Sequence, residues 1–167
     1  GGIRAPMTSR MGEPFALSSS LAAEDGGVFG HEQEARGMTT WIGPEAVEYD
    51  ERRELFNAMI DKKPRIIAAC AGPADVREAL ERAAHDRLAV AVRSGGHSVA
   101  GQSSNDDGLV IDVRPMKAID IDAAARRARV GGGCTWAEFD AAAQEYGLAT
   151  TGGRVSTTTS VSTVVTL

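Results

Sequence analysis

The stretch LAVAVRSGGHSVAGQSSNDDGLVID, residues 88–112, decides how this chain is read. Leu88, Val90 and Val92 form a short apolar run ending at Arg93, the pattern of a buried strand, and Ser94, Gly95 and Gly96 then supply a turn. Glycine has no Cβ, so it takes positive φ and lets backbone N–H groups approach an anion closely; successive amides can form a concave nest for phosphate oxygens. His97 comes next and sets an imidazole beside whatever the nest holds. A Gly-Gly pair after a strand is ordinarily just a turn. No GxxxxGK[ST] follows a strand, and the loop does not spell GxGxxG. By residue type alone, turn and phosphate cradle both remain open.

Upstream of this stretch, Ile66, Ile67 and Ala69 read as a first strand, and Gly72 and Pro73 introduce a helix with Val76, Leu80 and Ala83 as its inward stripe. Strand, helix, strand in that order predicts a parallel pair with a right-handed crossover. Further upstream, YDERRELFNAMI from Tyr49 carries Leu55, Met59 and Ile60 at helical spacing and predicts a helix ended by Pro64. Downstream, LVIDV at residues 109–113, a segment at 119–121 and RARVG at 127–131 are short and separated by turn residues, which predicts a second, more antiparallel sheet. Thr135 and Glu138 form a capping-box pattern, and Trp136, Phe139, Ala143 and Tyr146 then share one helical face up to Gly147. That stripe reads as core packing. The fold class expected is α+β: a small parallel β-α-β subdomain, then a mostly antiparallel sheet with flanking helices. Residues 1–45, rich in Gly, Ser, Glu and Met without periodicity, are expected to be a flexible N-terminal segment, and 46–167 the folded domain.

A chain of 167 residues can build one domain with a real core, since at ~150 residues roughly two-thirds of the unfolded surface is buried. The net charge of −5 argues against nucleic-acid binding through general electrostatics and leaves room for a local basic cradle. Cys70 and Cys134 are far apart with no CxxC, so no metal site is expected; spacing does not decide a disulfide, and both fit small buried residues of a reduced protein. His31 and His85 sit in no patterned site. Asp106, Asp107, Asp120 and Asp122 lack Ca²⁺-loop spacing and read as a solvated loop and strand edge. No apolar run reaches the ~18 residues of a membrane span, and the start of the chain lacks the apolar core of a signal peptide, so the expected compartment is the cytoplasm.

Five strings along the chain, NAMIDKKPRIIAACAGPADV, VRSGGHSVAG, GLVIDVRPMKAIDID, ARVGGGCTWAEFD and YGLATTGGRVSTT, resemble the FAD-binding PCMH-type domain of the vanillyl-alcohol-oxidase and berberine-bridge-enzyme type. They occur in the family's order and at its spacing across residues 57–158. The resemblance implies an FAD cofactor whose diphosphate is wrapped by Arg93, Ser94, Gly95, Gly96 and Ser98, with Gly101 and Gln102 nearby, and whose ring is attached covalently through His97. It further implies a second FAD loop of Gly152, Gly153, Val155, Ser156, Thr157 and Thr158. Val155 stands where some relatives carry a second attaching cysteine, so a second link is not expected.

The activity implied is oxidation of a small organic substrate, an alcohol, sugar or secondary metabolite, by hydride transfer to flavin with O₂ as acceptor. Family members carry more flavin domain and a separate substrate domain beyond the second loop. The chain is therefore expected to be a C-terminally truncated part, inactive alone, with no catalytic acid or base of its own. After Thr158 the family usually has several glycines, whereas this chain reads TSVSTVVTL at residues 159–167, whose side chains are expected to push backbone away from the cofactor. Left unpaired, that uncharged β-branched tail is an association hazard. The alternative reading is a non-catalytic fragment that has lost FAD and acts as an association module.

Overall fold

The computed structural model describes residues 39–153, 155–159 and 164–166, all within the unit Glu34–Leu167. In chain order the elements are β1 (Thr40–Ile42), α1 (Tyr49–Arg53), β2 (Ile66–Ala69), α2 (Pro73–Asp86), β3 (Val90–Arg93), β4 (Leu109–Asp112), β5 (Ile119–Asp122), β6 (Arg127–Val130), α3 (Trp136–Gln144) and β7 (Val164–Thr166). They make two sheets. The first has the order β1-β2-β4-β3 and is parallel except for β1; the second, β5-β6-β7, is antiparallel. The α+β architecture is the one the sequence predicts, with a different seating for one strand. LVIDV does not open the antiparallel sheet: β4 lies between β2 and β3 and pairs in parallel with both. The crossover through α2 therefore skips a place instead of joining neighbours.

Burial explains the position of β4. All four of its residues are buried, and a strand covered on both faces belongs at the centre of a parallel sheet. On one face Ala68, Cys70, Leu109 and Ile111 pack against Ala79 and Ala83 of α2; on the other, Ile67, Ala69, Ala91 and Val110 pack with Ile42 and Tyr49. Both cysteines are buried and free, and burial pushes the Cys70 thiol up to about 12. The second core gathers Ala128, Val130 and Cys134 beneath Phe139 and Ala143 of α3.

Several faces differ from the sequence reading. In β3 the buried residues are Ala91 and Arg93, whereas Val90 and Val92 are 41% and 57% exposed, because β3 is an edge strand. In α2 Ala83 is buried and Val76 half-buried against the core as expected, but Leu80 is exposed and Asp75 and Ala79 take the inward face with them; small residues let the helix lie close to the sheet. Asp75 is buried because its Oδ2 accepts the Ala71 and Gly72 N–H groups at the helix start, 2.7 and 3.1 Å away. Tyr146 lies past the end of α3 and is exposed. Strand β1 lies inside the segment expected to be flexible through residue 45, and pairs with β2; residues 1–38 fall outside the described residues. The long helix expected up to Pro64 stops at Arg53. From there the chain runs as an irregular strap whose Phe56 N–H donates to the Gly96 carbonyl.

Candidate cofactor site

The parallel sheet ends in the loop that follows β3. Because Arg93 lies opposite Asp112, the residues leaving the carboxyl ends of β3 and β4 emerge side by side, the place where open α/β sheets bind ligands. The Val113 N–H donates to the Arg93 carbonyl at 2.8 Å and carries the parallel pairing one step past the strands. Above them lies a cleft of about 490 Å³, lined by Val92, Ser94, Gly95, Gly96, His97, Ser98, Ser103, Val113, Gly132, Thr158 and Thr159. Glycine, serine and threonine make up most of this lining, Val92 and Val113 give it an apolar wall, its exposed surface is mostly carbon, and no carboxylate appears in it among the described residues.

The loop takes its shape from two glycines at positive φ, Gly96 at +70° and Gly101 at +68°. The strap after α1 ties it down from outside. Phe56 N–H reaches the Gly96 carbonyl at 3.3 Å, Asn57 Nδ2 donates to the Val99 carbonyl at 3.1 Å, and Lys62 Nζ donates to the carbonyls of Gly101 and Ser104 at 2.9 and 3.0 Å. Inside the loop, Ser98 accepts twice: its carbonyl from Gly101 N–H and its hydroxyl from Gln102 N–H. Ser94 Oγ donates to the Gly132 carbonyl and joins the loop to the turn before α3.

Gly95 has a separate reason to be glycine. A Cβ there would stand 2.6 Å from His97 Cδ2, 2.8 Å from His97 Nε2 and 2.9 Å from Thr159 Oγ1. The missing methyl makes room for the imidazole edge, and the Phe56 ring lies against the imidazole with centroids 5.1 Å apart. Among the described residues that imidazole has no hydrogen-bond partner. The Gly95 N–H points to the same side and donates to Thr159 Oγ1 at 2.9 Å. An amide aimed at an oxygen, hydroxyl neighbours and no facing carboxylate fit the oxygens of a diphosphate.

Arg93 takes no part in the lining. Its side chain runs underneath, with Nη1 donating to the Arg52 carbonyl at the end of α1, and its Nε is buried without a partner. It shares this space with Arg52, Arg114 and the wholly buried Asp112; Arg114 grips Asp112 through Nε at 2.9 Å and Nη2 at 2.6 Å. Burial, helped by repulsion from Arg114, pushes the Arg93 guanidinium down to about 10 against the pull of Asp112, so it stays charged at neutral pH.

Of the residues read from sequence, the cleft brings together Ser94, Gly95, Gly96, His97, Ser98 and Thr158; Arg93, Gly101, Gln102, Gly152, Gly153, Val155, Ser156 and Thr157 lie outside its lining. Gly152 and Gly153 face the indole of Trp136 instead: a Cβ on Gly152 would come within 2.6 Å of Trp136 Cε3, and one on Gly153 within 2.6 Å of Nε1. The sequence reading missed Val92 as a wall, Ser103, Val113, Gly132 and Thr159. Parallel pairing of β4 with β3 would have pointed to Val113.

Residues 64–166 match the FAD binding domain family. The chain belongs to it. This FAD-binding domain is 36% identical over 112 residues to (R)-6-hydroxynicotine oxidase of Paenarthrobacter nicotinovorans, covering 67% of this chain and 24% of that protein. It is 30% identical to an FAD-linked oxidoreductase of Bacillus subtilis, covering 65% of this chain and 24% of that one. The solved 6-hydroxy-D-nicotine oxidase of Arthrobacter nicotinovorans superposes with a TM-score of 0.64 at 34% identity, over 66% of this chain and 24% of that one. A berberine-bridge-enzyme-like protein of Physcomitrella patens gives 0.62 at 26%, over 68% of this chain and 25% of that one. The FAD-binding domain is thus of the vanillyl-alcohol-oxidase and berberine-bridge type, and the chain spans about a quarter of the length of these relatives.

Proposed function

We propose that the cleft holds the diphosphate of FAD and that the whole protein oxidises a small organic substrate, an alcohol, sugar or secondary metabolite, with O₂ as the final acceptor. The observation that carries this reading is the loop at the carboxyl ends of β3 and β4, with its Gly95 amide turned into a cleft free of carboxylates among the described residues. A 36%-identical relative named as an oxidase of 6-hydroxynicotine supports a small organic substrate. The flavin, when bound, supplies the hydride acceptor and the route for two electrons.

The chain's own residues bind and orient. Amides of residues 95–98 and the hydroxyls of Ser98 and Ser103 are the donors for the diphosphate, while Arg93, Gly101 and Gln102 hold the loop's shape from behind. Val92 and Val113 exclude water from one wall. His97 is the covalent attachment residue: imidazole nitrogen is a competent nucleophile, the Phe56 ring lies against the imidazole, and the missing Cβ of Gly95 leaves its edge unobstructed.

Purified protein is expected to be yellow, and acid precipitation to leave the colour in the pellet; in His97→Ala the colour should pass to the supernatant. Colourless protein whose melting temperature does not move on adding FAD would overturn the reading. That outcome would favour the second one, a flavin-free association module, for which the bond between Gly95 and Thr159 already speaks.

A further inference from the structure

Thr159 sits where the resemblance expects glycine, and its hydroxyl accepts the Gly95 N–H at 2.9 Å. The contact is held by backbone on the Thr159 side. Thr159 pairs with Thr135 in an isolated antiparallel bridge, and the carbonyl of Thr158 accepts the Trp136 N–H at 3.0 Å. Thr159 also belongs to the cleft lining, beside His97 and Ser94. An oxygen at hydrogen-bond distance from this amide stands in the position a phosphate oxygen would take.

We propose that Thr159 is an internal competitor for the Gly95 amide and thereby sets how tightly the loop binds an anionic cofactor. The inference rests on the reading of the cleft as a diphosphate site. A charged phosphate oxygen accepts an amide proton more strongly than a neutral hydroxyl, so a diphosphate can displace Thr159. Each binding event nevertheless breaks an existing hydrogen bond before it makes the new one. An amide freed of that bond, with only water to displace, binds tighter by the net worth of one hydrogen bond, about tenfold in affinity. The same exchange makes Thr159 a selector. Occupants with a formal negative charge at this point pass, and neutral oxygen ligands gain nothing over the side chain already there.

Titration calorimetry tests this on the full chain carrying His97→Ala, so that flavin exchanges, with FAD and inorganic pyrophosphate as separate probes. Thr159→Ala removes the hydroxyl and some bulk, and Thr159→Val removes the hydroxyl while keeping the β-branched shape. Both variants are expected to bind both probes about tenfold more tightly than the His97→Ala parent. Equal or weaker binding overturns the inference and leaves the cofactor reading standing. A gain in Thr159→Ala alone also overturns it, since bulk and not the hydroxyl would be the obstacle. Binding of neither probe to any of the three proteins takes down this inference and the cofactor reading together.

Discussion

The two glycine loops of this domain have the same kind of sequence and different work. In the loop at residues 94–101 the glycines shape a cleft: Gly96 and Gly101 take positive φ, Gly95 leaves room for an imidazole, and hydrogen bonds from the strap at 56–62 fix the outside. In the loop at residues 152–159, Gly152 and Gly153 are exposed and yield space to the indole of Trp136, and among the described residues only Thr158 and Thr159 reach the cleft. A glycine reports that something lies close. It does not say whether the neighbour is a ligand or a tryptophan.

The foundations differ as much as the loops, and the largest expected effect lies there. Beneath the first loop, wholly buried Asp112 is the carboxylate that faces Arg52, Arg93 and Arg114. Asp112→Asn takes away the carboxylate that Arg52 and Arg114 pair with and leaves Arg93 the weaker pull of Glu54; breaking a buried pair from one side costs about 3–5 kcal/mol. Urea unfolding should show a loss near the lower end of that range, since Arg52 and Arg114 are partly exposed and screened. A loss below about 1 kcal/mol would mean the arginines do not depend on the carboxylate, and the first loop would rest on its backbone bonds and on the side-chain bonds of Asn57, Lys62 and Ser94.

The second loop offers a smaller and reversible break. Gly152→Ala drives a methyl against the Trp136 ring and should cost about 1–3 kcal/mol through overpacking. Trp136→Leu in the same chain should recover most of the Gly152→Ala penalty, because the obstacle is then gone; the cycle isolates the pair. FAD affinity is expected to follow neither change. Additive losses in unfolding, or a fall in FAD affinity with Gly152→Ala, would return Gly152 to the cofactor.

This division was only partly visible in the sequence. Local patterns were legible: the capping box at Thr135 and Glu138 closes as read, with Thr135 Oγ1 accepting from Glu138 N–H and the carboxylate receiving Thr135 N–H. The turn after β3 was legible too, because a strand ending in Ser-Gly-Gly has few alternatives. What depends on long-range neighbours was not. The place of β4 between β2 and β3 follows from burial on both faces, and LVID reads the same as an edge or centre strand. Val90 and Val92 look like core by type, yet strand alternation turns them outward once Ala91 and Arg93 face in. Helical spacing beyond Arg53 was overridden by the bonds that draw Phe56 and Asn57 to the loop. Thr159 could be recognised as a departure, but its bond to Gly95 spans 64 positions and is a product of the fold.

The smallest effect separates the two foundations by pH. Trp136, the support of the second loop, opens α3, whose start carries Glu138 paired with Lys117 Nζ at 2.8 Å on the surface. Lys117 first, then the Thr135 N–H, pull the Glu138 carboxyl from an ordinary 4.5 down to about 2. A carboxylate depressed on folding stabilises the fold fully above its unfolded value and loses that contribution as pH falls toward its folded one. The window is therefore about 4.5 down to about 2. Glu138→Gln keeps an acceptor for the Thr135 N–H and removes the charge, so it should lower stability at neutral pH by only ~0.2–1 kcal/mol, the worth of an exposed pair. The gap from the unsubstituted chain should close across that window, because protonated Glu138 and Gln are then alike. A gap that persists at the acid end would mean the glutamate acts through packing, and that α3 rests on more than its charged start.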